Sequence, residues 1–64
     1  MESLLKIKEL VEKMSIDTQK VVQKGNKSAS IRARKNAQAV KHLIQSYRKD
    51  ILDEIRKYDT HDSH

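Results

Sequence analysis

The sequence contains no cysteine, no proline, no tryptophan and no phenylalanine, and only one glycine. Without cysteine there is no disulfide framework and no thiolate set for a zinc finger, so apolar packing must hold the chain together. Without proline, and with glycine confined to position 25, almost nothing interrupts a helix, and the 64 residues favour that structure over any other. Aromatic side chains are limited to Tyr47 and Tyr58. A chain so short and so poor in large side chains struggles to bury enough surface against its conformational entropy, and such domains commonly need a second subunit. No run reaches the roughly 18 consecutive apolar residues of a membrane span. Met1–Lys6 does not lead a basic start into an apolar core. The expectation is a protein that stays in the compartment where it is made and has no membrane partner.

What is present is a helical rhythm. Leu4, Ile7, Val11, Met14, Thr18 and Val21 recur at alternating intervals of three and four, which predicts a first helix over 3–24 with these residues on one face. Glu2 lies near the positive end of its dipole, and Lys20 and Lys24 sit in its last turn. Gly25 suits the left-handed conformation that closes a helix, and Asn26 suits the N-cap of the next. Beyond this turn Ala29, Ala33, Ala37, Val40, Ile44, Tyr47, Ile51, Ile55 and Tyr58 keep the same rhythm, predicting a second helix over 27–58.

So short a connection folds the helices antiparallel, with the alanines allowing close approach near the turn. The second helix outruns the first, so about ten residues from Lys49 onward should project at about 1.5 Å each. The expected fold is therefore all-α: an antiparallel two-helix hairpin that assembles into a dimeric four-helix bundle or higher oligomer. Val40, Leu43, Ile44, Tyr47, Ile51, Ile55 and Tyr58 are the expected oligomer interface. Leu5, Ile16, Ile31, Ala39, Leu43 and Leu52 fall off the two main stripes, and Ala39 with Leu43 suggests a second contact surface. Residues 59–64 lack periodicity and are expected to fray.

The formal net charge is +5, which favours a polyanionic partner. Its distribution matters more than its size. From Thr18 through Lys49 there is no acidic residue, while Lys20, Lys24, Lys27, Arg32, Arg34, Lys35, Lys41, Arg48 and Lys49 all fall in that interval. Lys27, Arg34, Lys41 and Arg48 recur at a constant interval. They form a row that drifts only about 20° per step, with heads roughly 10 Å apart. Charged residues beside an apolar seam are often only solvated. Here, however, the second helix carries cations near its N-terminus and Asp50, Asp53 and Glu54 toward its C-terminus, opposite to what the helix dipole rewards. Local helix stability did not set that order.

These features point to a nucleic-acid surface built from Lys20, Lys24, Asn26, Lys27, Ser28, Arg32, Arg34, Lys35, Lys41 and Arg48. Lysine and arginine would neutralise phosphates and release condensed counterions, a driving term indifferent to base sequence. Arginine can hold a phosphate with two parallel hydrogen bonds, so Arg32 and Arg34 are the expected strongest contacts. Asn26, Ser28 and Ser30 with the free N–H groups opening the second helix add neutral donors, although capping explains Asn26 and Ser28 equally well. Tyr47 and Tyr58 lie on the apolar stripe and read as core, not as stacking platforms.

There is no nucleophile paired with a base, no glycine-rich phosphate loop, and no pocket-forming cluster of acids and histidines, so no catalytic role is expected. Asp59, His61, Asp62 and His64 make a poor metal site on a tail without an apolar shell, and neither metal nor cofactor is expected. His42 reads as solvent-facing.

The segment Lys24-Gly25-Asn26-Lys27-Ser28-Ala29-Ser30-Ile31-Arg32-Ala33-Arg34-Lys35, continued by Tyr47-Arg48-Lys49, resembles the chlamydial histone-like family of small bacterial nucleoid proteins, which are likened to linker histones. The likeness extends loosely over residues 4–58. It implies sequence-nonspecific binding of double-stranded DNA and chromosome compaction in a bacterial cytoplasm, at the nucleoid. Lys27, Arg32, Arg34 and Lys35 are picked out both by the resemblance and by charge. Chlamydial members carry a long lysine- and alanine-rich tail, whereas this sequence ends in Asp59-Thr60-His61-Asp62-Ser63-His64 and so resembles the short relatives that lack one. Two other readings compete: a helical scaffold whose charges serve solubility, and an amphipathic membrane-surface helix. The second is disfavoured because Ala29, Ala33 and Ala37 offer little to insert where the chain is most basic.

Overall fold

A computed structural model describes residues 1–59 as two α-helices, α1 (Glu2–Lys24) and α2 (Lys27–Asp59), packed against each other with no strand among the described residues. The molecule is a rod of 59 × 14 × 14 Å. No helix is long and apolar enough to cross a membrane among the described residues. Of the frayed tail expected over 59–64, Asp59 closes α2 and the remainder lies outside the described residues.

The turn is made by the two residues whose chemistry suits it. Gly25 adopts φ 61°, ψ 33°, and its N–H donates to the Val21 carbonyl at 2.8 Å, closing α1 in the left-handed cap geometry. The Asn26 N–H donates to the Lys20 carbonyl at 3.3 Å. Asn26 Oδ1 then accepts the Ala29 N–H at 3.0 Å, satisfying one of the orphan donors that open α2.

Two polar contacts set the antiparallel register. Ser3 Oγ donates to Asp50 Oδ2 at 2.7 Å near the open end, and Arg32 Nη2 donates to Asp17 Oδ1 at 3.1 Å nearer the turn. Between them the seam is lined by Ser3, Ile7, Leu10, Met14, Asp17 and Val21 of α1. Facing these are Ala29, Ala33, Asn36, Val40, Leu43, Tyr47 and Asp50 of α2, and every one of these side chains is buried or half-buried. The same register sets Leu10 level with Leu43 and Asp17 level with Asn36.

This seam corrects half of each expected stripe. Ile7, Met14 and Val21, and Ala29, Ala33, Val40 and Tyr47, face the partner helix as the rhythm indicates. Leu4, Val11 and Thr18, however, are exposed, as are Ala37, Ile44 and Ile51. Their places in the seam belong to Ser3, Leu10 and Asp17 and to Asn36, Leu43 and Asp50. On either side of a central line of residues two neighbouring lines compete, and the one carrying Ser3 and Asp17 on α1, and Asp50 on α2, turns inward, where Ser3 meets Asp50 and Asp17 meets Arg32. Leu43 accordingly lies in the seam toward α1, while Ala39 is half-buried at the seam's edge on the flank that also carries Arg32.

The core is slight. Ala29 is the sole fully buried apolar side chain among the described residues, at 0% exposure, and no large side chain is fully buried. Small residues near the turn let the backbones approach, and Leu10, Met14, Leu43 and Tyr47 fill the seam farther out only partly. Because Ser3 meets Asp50, α2 runs on past the start of α1, and every side chain from Ile51 to Tyr58 is exposed.

Candidate nucleic-acid interface

Folding at Gly25 brings the acid-free interval back on itself, so cations from the end of α1 and the start of α2 surround one tip of the rod. Lys20, Lys24, Lys27, Arg32, Arg34, Lys35 and Lys41 are all exposed there. Asn26 is half-buried through its cap, while Ser28 is exposed in the first turn of α2, whose first turn has no acidic residue. Arg48 and Lys49 lie farther along the same helix and are also exposed.

The two ends of the rod treat their cations differently. At the open end Arg56 pairs with Asp53 at 3.9 Å, and Lys57 pairs with Glu54 at 2.9 Å, each one turn apart on α2. The Lys57 ammonium is held above its usual pKa, first by its hydrogen bond to Glu54 and then by that carboxylate's charge. Around the tip one ion pair is present: Arg32, through Nε at 3.3 Å and Nη2 at 3.1 Å, holds Asp17. Asp17 is 6% exposed, so its charge is met by Arg32 and not by solvent, whereas the Arg32 side chain remains 51% exposed. Among the described residues no other cation from Lys20 to Lys49 is in an ion pair.

The cations are distributed around the tip on two flanks. Lys27, Arg34, Lys41 and Arg48 keep their row on one flank of α2, next to Ala37 and Ile44; Arg34, Ala37, Gln38 and Lys41 border one shallow depression there. Arg32 belongs to the opposite flank, which its reach to Asp17 identifies, together with Ala39 and Ser46. Lys20 shares that second flank from α1. So do Lys13 and Lys6, which the acid-free interval did not single out because Asp17 stands between Lys13 and it in the chain, and Glu9, Glu12 and Asp17 stand between Lys6 and it. The signal that could have found them was their own constant spacing, Lys6, Lys13 and Lys20 being one helical row. Lys35 and Lys49 lie at the outer border of the same flank.

The residues named as an oligomer surface separate into two groups. Val40, Leu43 and Tyr47 are half-buried in the hairpin's own seam, whereas Ile44, Ile51, Ile55 and Tyr58 are exposed, Tyr58 by 74%. His42 is exposed. No cluster of three or more potential metal ligands occurs among the described residues, and His61, Asp62 and His64 lie outside them.

A family model described as histone H1-like protein Hc1 matches residues 1–57, close to the whole chain. No curated protein and no solved structure matches.

Proposed function

This chain belongs to the histone H1-like Hc1 family of DNA-binding nucleoid proteins, and on that basis we propose that it binds double-stranded DNA through the phosphate backbone, without reading base sequence. The family is one of DNA-packaging proteins and not of enzymes. The observation that carries the finer reading is the contrast between the two ends of the rod. Cations at the open end are matched by carboxylates one turn away, while those at the tip, Arg32 apart, have no carboxylate partner among the described residues. An array of unmatched cations on a rigid helix is costly for the fold and favourable for a polyphosphate.

Binding would proceed by neutralisation. Each ammonium or guanidinium that settles on a phosphate releases condensed counterions, and that release is the same for every base sequence. The row from Lys27 to Arg48 spans about 32 Å at 1.5 Å per residue, close to one turn of B-DNA. Arg34 is the strongest anchor, having both the bidentate geometry and no carboxylate to release first. Ser28 and the N–H groups at the start of α2 add neutral donors to phosphate oxygens. Self-association and a place at the bacterial nucleoid complete the reading, the first because the hairpin covers so little of its own apolar surface.

The test is a mobility shift of unrelated duplexes over a salt series. Six or more phosphate contacts should weaken binding by orders of magnitude between about 50 and 200 mM salt, with little difference among sequences. Absence of retardation at the low-salt end would leave only a helical scaffold.

A further inference from the structure

The plane through the two helices has cations on both of its sides. On one side the row Lys27, Arg34, Lys41 and Arg48 runs beside exposed Ala37 and Ile44. On the other side Lys6, Lys13 and Lys20 of α1 form an exposed row about 21 Å long at 1.5 Å per residue. The register fixed by Ser3 and Asp50 sets these lysines level with Tyr47, Val40 and Ala33 of α2. Close to those levels, at the border of the same side, stand Lys49, His42 and Lys35, all exposed. The arrangement is a ladder whose rungs, Lys6 with Lys49, Lys13 with His42 and Lys20 with Lys35, follow one another about every 10 Å.

Between the two rails lie Arg32, Ala39 and Ser46 of α2. Ala39 and Ser46 are too small to project, so the floor between the charges stays low. Arg32 holds Asp17 through Nε and Nη2, yet its side chain remains 51% exposed and can still meet a further anion. The sorting of charge is what sets this side apart from an ordinary solvated surface. α1 carries nearly as many acids as bases, but Asp17 is turned into the seam, Glu2 stands at the open end, and Glu9 and Glu12 border a depression with Lys13 and Ile16 farther round the helix. Among the described residues none of Lys6, Lys13, Lys20, Lys35 and Lys49 is in an ion pair. Surfaces that serve solubility mix both signs, whereas rails of one sign suit a polyanion.

We propose that this ladder is a second DNA-backbone site, separate from the row Lys27 to Arg48, and that one hairpin therefore holds two duplexes, one on each side of its plane. This rests on the DNA-binding reading above and adds a second face to it. Packed helices stand about 8–10 Å apart, so the ladder offers a channel in which one phosphate strand has cations on both sides. The two faces share no residue, so filling one leaves the other open. Nor do the two ligands exclude each other by charge: the rod is 14 Å across, more than the roughly 10 Å Debye length at 0.1 M salt, which largely screens one duplex from the other. Both faces belong to the same chain, so holding two duplexes needs no contact with another copy.

The experiment adds an excess of a labelled duplex of about 12 base pairs to the full chain at about 50 mM salt and reads the duplex-to-chain ratio at saturation by sedimentation. A duplex so far below the roughly 150-base-pair persistence length cannot bend round to touch both faces. Wild type should reach two duplexes per chain. Lys6→Gln/Lys13→Gln/Lys20→Gln, and separately Arg34→Gln/Lys41→Gln/Arg48→Gln, should each stay helical by circular dichroism and stop at one. Ser46→Glu sets a carboxylate on the channel floor with every lysine in place, and should weaken the second duplex about tenfold while sparing the first. Wild type that saturates at one duplex per chain, either triple variant that still takes two, or a Ser46→Glu chain that holds both as tightly as wild type would overturn the proposal. Wild type that takes none would instead overturn the DNA-binding reading beneath it.

Discussion

Arg32 holds Asp17 across the hairpin with two nitrogens, at 3.3 and 3.1 Å, so one of the two guanidinium groups best suited to phosphate already has an anion. The pair is unequal in its surroundings: the carboxylate is 6% exposed and the arginine side chain 51% exposed. Removing either partner therefore has different consequences. Arg32→Ala leaves a buried carboxylate without a partner and should destabilise the hairpin by about 2–3 kcal/mol. Asp17→Ala leaves an arginine that water can reach and should cost only about 1 kcal/mol. Asp17→Leu, which fills the seam with an apolar side chain, should be neutral or stabilising. Urea unfolding followed by circular dichroism measures all three, and equal losses for the two alanine variants would mean that the pair is not buried as described.

The same contact ranks the arginines for DNA. Arg34 has no carboxylate partner among the described residues, so Arg34→Ala should flatten the dependence of log affinity on log salt by about 0.9, one phosphate contact. Arg32→Ala should do less, and Asp17→Asn, which frees Arg32, should raise affinity. A salt-titrated mobility shift decides, and an Arg32→Ala effect larger than that of Arg34→Ala would reverse the ranking.

At the turn, Gly25 has φ 61° but nothing within 4 Å of where a Cβ would stand. Gly25→Ala should therefore suffer only the backbone strain of the left-handed region, about 1–2 kcal/mol, with no added clash. Gly25→Asn should suffer less, since asparagine tolerates that region. Next to it, Asn26→Ala removes the acceptor for the Ala29 N–H and should cost about 1 kcal/mol. Thermal melts of the three variants give the order.

Alanines that look equivalent in sequence should respond differently to enlargement. Ala29 is 0% exposed where the helices come closest, so Ala29→Leu should force them apart and cost about 1–3 kcal/mol. Ala37 is exposed, and Ala37→Leu should leave hairpin stability almost unchanged. Similar melting temperatures for both would contradict the register set by Ser3 and Asp50.

What was decided by the sequence alone is local: two long helices in a chain with nothing to break them, a turn at the one glycine and its following asparagine, and cations gathered on both sides of that turn. These follow from each residue's own backbone preference and charge, which need no neighbour from the other helix. Which side of each helix turns inward was decided only by the tertiary structure. Hydropathy along a single helix favours Leu4 over Ser3, Ala37 over Asn36 and Ile51 over Asp50. The seam takes the polar residues because Ser3 meets Asp50 and Asp17 meets Arg32, pairings between residues distant in the chain. A buried polar group is tolerable only beside its partner, and that partner becomes visible once the two helices are laid together.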